Sequence, residues 1–220
     1  MGISLATWTA CSWFKRADGL AGIAPIALSP VLRVPSSLAT TTIAYQNACG
    51  AQATVPIGSP LVAALQQKMG RVFQHVVMDQ AVSPDGVIEA SVGLKQIDLA
   101  IPRRIKKTYP VTVTVGLDVA YLAGDGSTLW TKKLQSSGLG EVEVQETTCD
   151  VTGLEAVVKE AIDLVAEGAA KQISDSVKIR EYAGAKPSRG PALASADATP
   201  PAAVADVAAV PVRQGEPAAL

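Results

Sequence analysis

Four acidic residues form the chain's densest group of side chains with catalytic potential: Glu141, Glu143, Glu146 and Asp150. Alternate positions of a strand share a face, so Glu141 and Glu143 would present their carboxylates side by side. Such pairs serve glycoside hydrolysis, and carboxylate oxygens also bind divalent cations. A run of this kind is more often a solvated strand edge that discourages aggregation. We therefore expect no catalytic residue and no metal, and keep a secreted hydrolase or metal-binding enzyme using Glu141, Glu143 and Asp150 as the alternative.

The remaining motifs also favour a protein without enzymatic activity or cofactors. His75 is the single histidine, so it alone would have to carry any histidine-based acid–base chemistry, and we expect a structural role for it. The segment Gly138–Gly140 is too short to cradle a phosphate, and Gly124–Gly126 lacks the alternating oxygen ligands of a calcium loop. Zinc is disfavoured because no two cysteines are close in sequence.

A basic cluster, Arg103, Arg104, Lys106 and Lys107, is the one concentrated positive feature of the sequence. It is suited to anionic head groups, to the phosphates of a glycolipid or to an acidic protein surface, although a solvated strand connection would look the same. Nucleic acid is an unsuitable partner because no aromatic residues interleave the cluster. The chain as a whole is also balanced, with 19 basic and 20 acidic residues.

The N-terminus allows two interpretations as an export signal. In the first, Leu5–Cys11 is the end of a lipoprotein signal and Cys11 becomes the lipid-modified first residue of the mature chain. Only ten residues precede this cysteine and none is basic, which departs from an ordinary signal. In the second, Lys15 and Arg16 precede an apolar Leu20–Leu32 segment, and cleavage falls near Ser37–Ala39. A chain that is not exported is the third possibility.

The number of cysteines is compatible with an exported protein but is also compatible with one that is not exported. If Cys11 carries lipid, Cys49 and Cys149 remain as an even pair suited to a disulfide in an oxidising compartment. Two unrelated buried thiols would fit the sequence equally well. No apolar run reaches the roughly 18 residues that would span a bilayer.

The sequence pattern predicts that the chain has three regions. Residues 1–35 are expected to be a signal or lipid-anchor segment with a tether, because prolines interrupt them. Residues 36–182 are expected to fold. Residues 183–220 are rich in Ala and Pro and are expected to be a disordered tail, because they lack the apolar side chains that would offset ordering.

Within the folded region the pattern predicts an α+β domain of order β-α-β-β-β-α. A strand at Leu38–Tyr45 is followed by a helix that begins at Ser59-Pro60, and a later capping-box pattern at Thr152–Glu155 starts the second helix. Strict alternation over Val111–Tyr121 marks the clearest strand. In Val87–Ile101 the alternation changes phase near Lys95 or Gln96, which predicts a β-bulge. Neighbouring hairpin strands covered by two helices imply a two-layer antiparallel sheet.

This pattern resembles small Gram-negative envelope lipoproteins, the group that includes the lipopolysaccharide-assembly partner and the penicillin-binding-protein activators. The similar residues are Gly58–Leu61 opening a helix, Phe73 near its end, and the hairpin Tyr121–Trp130. The resemblance implies a periplasmic, lipid-anchored accessory protein that binds an envelope protein or glycolipid. Ser12, not aspartate, follows Cys11, which favours the outer membrane. A structural subunit of a larger assembly is a further alternative.

Overall fold

The computed structural model describes residues 19–78, 85–101, 107–145 and 147–186. The described part contains eight strands: β1 (Val31–Arg33), β2 (Thr42–Gln46), β3 (Gln52–Pro56), β4 (Val77–Met78), β5 (Val87–Leu99), β6 (Thr108–Leu122), β7 (Thr128–Val144) and β8 (Val151–Thr152). Its four helices are α1 (Ser36–Ala39), α2 (Gly58–Val72), α3 (Leu154–Ser174) and α4 (Val177–Ala185). The predicted α+β class is confirmed, but the sequence predicts two helices where four are present.

The main sheet has six strands in the order β4-β1-β5-β6-β7-β8. Its centre is the antiparallel set β5-β6-β7, in agreement with the predicted hairpins. The sheet is nevertheless mixed, because β1 lies parallel to both β4 and β5. Strands β2 and β3 form a separate antiparallel hairpin. The prediction of a wholly antiparallel sheet is therefore wrong at β1, which lies in the region that the sequence predicts as a tether.

The helices cover one face of the sheet. The alternation of apolar and polar side chains along β6 determines which face this is. Val113, Val115 and Leu117 are at most 1% exposed, and Phe73, which ends α2, stacks on Tyr121 of β6 at 5.9 Å between ring centroids. Burial of these side chains removes the apolar face from water and supplies the main stabilisation of the domain. The opposite face of β6 carries small and polar residues such as Thr112 and Asp118.

The predicted bulge in β5 is present, although it lies slightly earlier in the strand. The register to β6 shifts between Val92 and Leu94, so Gly93 is the extra residue. Before it Ile88 and Ala90 face the helices, and after it Ile97 and Leu99 pack against the core. One inserted residue restores a single buried face on a strand whose side chains alternate with period 2.

Both helix starts differ from the predicted ones. Helix α2 begins at Gly58, and the Ser59 hydroxyl donates to the Ala39 carbonyl at 3.3 Å instead of capping its own helix. Helix α3 begins at Leu154 after Gly153, whose φ is 89°, and Thr152 donates to the Glu143 carbonyl. In both cases a tertiary partner takes the side chain that the local pattern assigns to a cap.

The folded domain begins earlier than residue 36. Leu20, Ile26 and Leu28 are buried, and β1 pairs in the sheet within the region predicted as tether. The prolines in this region disfavour a helix, but they are compatible with an extended chain that packs on the core. At the other end α4 runs to Ala185, past the predicted boundary at residue 182. Residues 1–18 and most of the predicted tail lie outside the described residues.

Candidate functional site

The outer edge of β7 is the longest open strand edge in the described part of the chain. Strand β8 pairs with it only at Glu143 and Val144. From Thr128 to Val142 no described strand lies on that side, while β6 pairs along the whole of the other side. An edge of this length presents a row of backbone groups that another strand can use.

The direction of the free backbone groups follows from two hydrogen bonds. The Val144 amide donates to the Lys107 carbonyl of the β6 side at 3.0 Å, and the Gln145 amide donates to the Asp150 carbonyl on the β8 side at 3.0 Å. In an antiparallel pair such partners alternate along the strand. The odd-numbered residues of β7, such as Gln135, therefore point their N–H and C=O groups away from β6.

The same odd-numbered residues place their side chains on the face opposite the helices. Lys133 has a side chain that is 90% exposed, with its ammonium 4.0 Å from the Asp118 carboxylate, and Leu139 is 69% exposed. Glu141 is also exposed. The edge thus offers backbone donors and acceptors, one apolar side chain, and charges of both signs. These are the features that a strand contacts when it is added to the edge of a sheet.

The glycines of β7 serve helix packing. A Cβ at Gly138 would lie 2.5 Å from the Val157 carbonyl oxygen and 3.0 Å from the Ala161 nitrogen, both in the backbone of α3. A Cβ at Gly140 would lie 2.6 Å from Val157 Cγ2. Only glycine admits so close an approach. The two glycines at positions 138 and 140, which resemble a fragment of a phosphate-binding loop, therefore allow α3 to pack closely on the sheet.

A second feature is a groove of about 440 Å³ between α2 and α3, with β3 at one side. Pockets of this size hold small molecules or large side chains. Apolar residues form most of its lining, and charged residues Glu155, Lys159 and Asp163 belong to α3 along it. The apolar lining residues are Val55, Pro56, Pro60, Ala63, Ala64, Val158 and Ile162. We name this feature the α2–α3 groove.

The described chain begins beside one end of the α2–α3 groove. Lys68 of α2 and Glu167 of α3 form a partly buried ion pair at 2.9 Å. The Gly19 amide donates to the other oxygen of the Glu167 carboxylate at 3.0 Å. Lys68 follows the groove residue Gln67, and Glu167 lies one helical turn after Asp163. Gly19 is therefore held about one helical turn beyond the lining residue Asp163.

The two cysteines that the sequence offers as a disulfide pair are brought together. Cys49 lies in the turn of the β2–β3 hairpin and Cys149 in the β7–β8 connection, and the structure joins them with Cα atoms 5.6 Å apart. That separation is within the range of disulfides. Cys149 has a φ of 60°, a conformation that few side chains adopt. The bond would connect the separate hairpin to the main sheet.

The acidic residues do not assemble into a metal site in the described part of the chain, where no three His, Cys, Asp or Glu side chains are grouped to hold an ion. Glu141 and Glu143 lie on β7, and Asp150 lies in the β7–β8 connection. Glu146 lies outside the described residues. His75 is exposed.

Most of the basic cluster also lies outside the described residues, namely Arg103, Arg104 and Lys106. Lys107 is described and exposed at the start of β6. Its carbonyl accepts from the Val144 amide, so Lys107 itself lies at the end of the sheet where β7 finishes. Cys11 is likewise outside the described residues.

A polar cluster around Asp85 joins four segments at the opposite end of the sheet. The Asp85 carboxylate accepts from the Ser29 amide and from Lys186, each at 3.0 Å, and the Tyr121 hydroxyl donates to the Asp85 carbonyl at 2.7 Å. Burial raises the pKa of the Tyr121 phenol well above its usual value, with Tyr182 and Asp85 adding to it. This hydrogen-bonded arrangement is structural, since every named group has a protein partner.

Sequence reasoning does not identify the α2–α3 groove. Its small residues, Ala63 and Ala64, are in positions where a larger side chain would fill the space, but small residues on a helix carry no signal of their own. The open edge is expected from the sequence only in general terms, as a solvated strand edge that carries the acidic residues. The length of β7 is harder to predict, because the glycines at positions 138 and 140 favour a break in a strand by local propensity.

Comparison with known proteins identifies no family. No protein-family model and no curated protein matches the sequence. Solved structures with a similar chain course include a minor lipoprotein from Acinetobacter baumannii, with TM-score 0.41 and 12% identity over 68% of this chain and 94% of that one. Lipoprotein B from Nitrosomonas europaea has TM-score 0.44 and 10% identity over 79% and 91%. A Xanthomonas campestris protein has TM-score 0.44 and 9% identity over 73% and 89%.

No helix among the described residues is both long enough and apolar enough to cross a bilayer. The similar solved structures named as lipoproteins are bacterial. At their TM-scores and identities they place this chain in no family.

Proposed function

We propose that this chain is a non-catalytic envelope lipoprotein, anchored through a lipid on Cys11, whose α+β domain binds a protein or glycolipid partner. The proposed location is the periplasmic side of the outer membrane. The contact surfaces are the open edge of β7 and the basic cluster Arg103–Lys107. The anchor rests on the sequence around Cys11, where small residues precede a cysteine behind an apolar stretch.

The observation that carries the binding role is the open edge of β7. It leaves the backbone groups of alternate residues from Thr131 to Glu141 without a strand partner in the described part of the chain. A strand added there would complete a row of hydrogen bonds that the domain already holds in the right geometry. Lys133 and Glu141 then restrict the partner to a strand with an acidic and a basic residue at matching positions.

Strand addition can be tested by replacing Gln135 with proline. The Gln135 amide points away from β6, so Gln135→Pro removes one outward donor without removing a bond of the sheet. We expect a cross-link from a photoreactive residue at position 139 to an envelope partner to fall about tenfold, as a loss of roughly 1.4 kcal/mol would give. The measurement is the yield of that cross-linked product in intact Gram-negative cells.

Gln135→Val is the matched control, because valine keeps the amide and favours a strand. It should retain the cross-link of the unmodified chain, and both variants should melt at similar temperatures. Equal yields from the proline and valine variants would show that the backbone of this edge does not bind the partner.

A further inference from the structure

We propose that Trp13–Arg16, the residues just before the described domain, dock in the α2–α3 groove and fix the N-terminus against α3. This goes beyond the proposed function, which assigns no contact to that segment. It holds whether or not Cys11 carries lipid. Three features support it: the point where the chain enters the domain, the reach of the segment, and the chemistry of the segment and the groove.

The point of entry limits the path of the segment. The Gly19 amide donates to Glu167, whose ion pair with Lys68 lies one turn of α3 beyond the lining residue Asp163. The next carboxylate along the groove, Asp163, is one turn of α3 away, or about 6 Å along the axis. The chain before Gly19 thus starts beside the groove.

The reach of the segment matches the length of the groove. Phe14 precedes Gly19 by five residues and Trp13 by six, so their Cα atoms can lie up to about 17–20 Å from it. Glu155, at the far end, is twelve residues from Glu167 on α3, or about 18 Å along the axis. Both aromatic side chains can therefore reach the lining residues without stretching the chain beyond its limit.

The chemistry of the two surfaces is complementary. The groove presents an apolar floor, in which Ala64, Val158 and Ile162 are nearly buried. The indole of Trp13 and the phenyl ring of Phe14 are large apolar side chains that could cover this floor. Lys15 and Arg16 follow the rings directly. On α3 the groove carries the carboxylates of Glu155 and Asp163 against one ammonium, that of Lys159, so its rim is net acidic.

Docking would have a consequence for orientation. Cys11 precedes Trp13 by two residues. With the rings held in the groove, an anchor at Cys11 would face the membrane from the α2–α3 side of the domain, leaving the outer face of the β5-β6-β7 sheet directed away from it. The open edge of β7 would remain accessible to a partner.

Trypsin provides a direct test, because Lys15 and Arg16 are themselves cleavage sites. Ala63 is exposed and lines the groove, and Ala63→Lys would place a long cation in it while keeping a good helix former. We expect Ala63→Lys in the full chain to raise the rate of cleavage after Lys15 and Arg16 about tenfold, since cleavage follows the population of the released segment. Intact mass spectrometry gives that rate relative to cleavage after Arg213 in the same molecules.

Gln66→Lys is the matched control. It adds the same side chain to the same helix at an exposed position that does not line the groove. It should leave the cleavage ratio unchanged, and both variants should keep the melting temperature of the unmodified chain. Equal cleavage ratios in all three proteins would overturn the proposal.

A photoreactive residue at position 14 identifies the occupant. We expect cross-links to the lining residues between Pro60 and Gln67 or between Glu155 and Asp163 of the same molecule. Mixing ¹⁴N-labelled and ¹⁵N-labelled chains separates the products: mixed-label cross-links would mean that a second copy fills the groove, which contradicts the proposal. Cross-links elsewhere in the domain would contradict it as well.

Discussion

Replacing Cys49 with serine should lower the free energy of unfolding by about 4–5 kcal/mol and the melting temperature by roughly 10–15 °C. The two cysteines are 100 residues apart in sequence. A cross-link that closes so long a loop removes much of the conformational freedom of the unfolded chain. It also connects the β2–β3 hairpin, which is a sheet of its own, to the β7–β8 connection.

The measurement is thermal unfolding of the purified protein with and without reductant. Cys49 is the better position to change, because Cys149 has a positive φ and its replacement would combine loss of the bond with a change at a strained backbone position. Cys11→Ser is the control, and it should melt like the unmodified chain and respond to reductant in the same way. A melting temperature that neither reductant nor Cys49→Ser alters would show that the two thiols are not bonded in the protein.

Replacing Gly138 with valine should destabilise the domain by about 3 kcal/mol, the upper range for overfilling a packed site. A Cβ at this position would lie 2.5 Å from the Val157 carbonyl oxygen, so α3 would have to move off the sheet. Since Val157, Val158 and Ala161 are buried residues of α3 itself, that movement would expose them. Chemical denaturation measures the loss.

Gly70→Ala is the matched control, because Gly70 lies in α2 and a Cβ added there would have no neighbouring atom within 4 Å. Alanine is favoured over glycine in a helix by about 0.5–1 kcal/mol, so this variant should gain stability. If Gly138→Val were as stable as the unmodified chain, the close packing of α3 on β7 would be wrong.

The elements with strong periodicity could be predicted from the sequence. Strict alternation over Val111–Tyr121 places β6, and the phase change in the preceding strand places its bulge to within a few residues. The spacing of Leu61, Leu65 and Met69 places α2, and all three are fully buried. In these cases the local pattern and the tertiary burial agree, so the pattern alone is sufficient.

The remaining fold depends on partners distant in sequence. Strand β1 is three residues long and joins the sheet through parallel pairing with β5, more than fifty positions later, which no local pattern specifies. The predicted helix caps are wrong because Ser59 and Thr152 find acceptors in other elements. The prolines before residue 36 indicate a non-helical chain correctly but do not distinguish a tether from an extended segment packed on the core.

The candidate surfaces are predictable in kind but not in position. Charged residues in a strand indicate an exposed edge, yet only the pairing of β7 with β6 along its whole length shows which residues are free. The α2–α3 groove is lined by residues of β3, α2 and α3, which are scattered through the sequence. Cys49 and Cys149 could be proposed as a pair only by elimination, and their proximity is a result of the fold.

Anchoring of the domain through Cys11 can be tested by the intact mass of the protein from a bacterial membrane fraction. The chain should be expressed with its genuine upstream start, so that any export signal is complete. We expect a mature chain that begins at Cys11 and carries the added mass of its acyl groups. An unmodified chain that retains Met1 and stays in the soluble fraction would contradict the account.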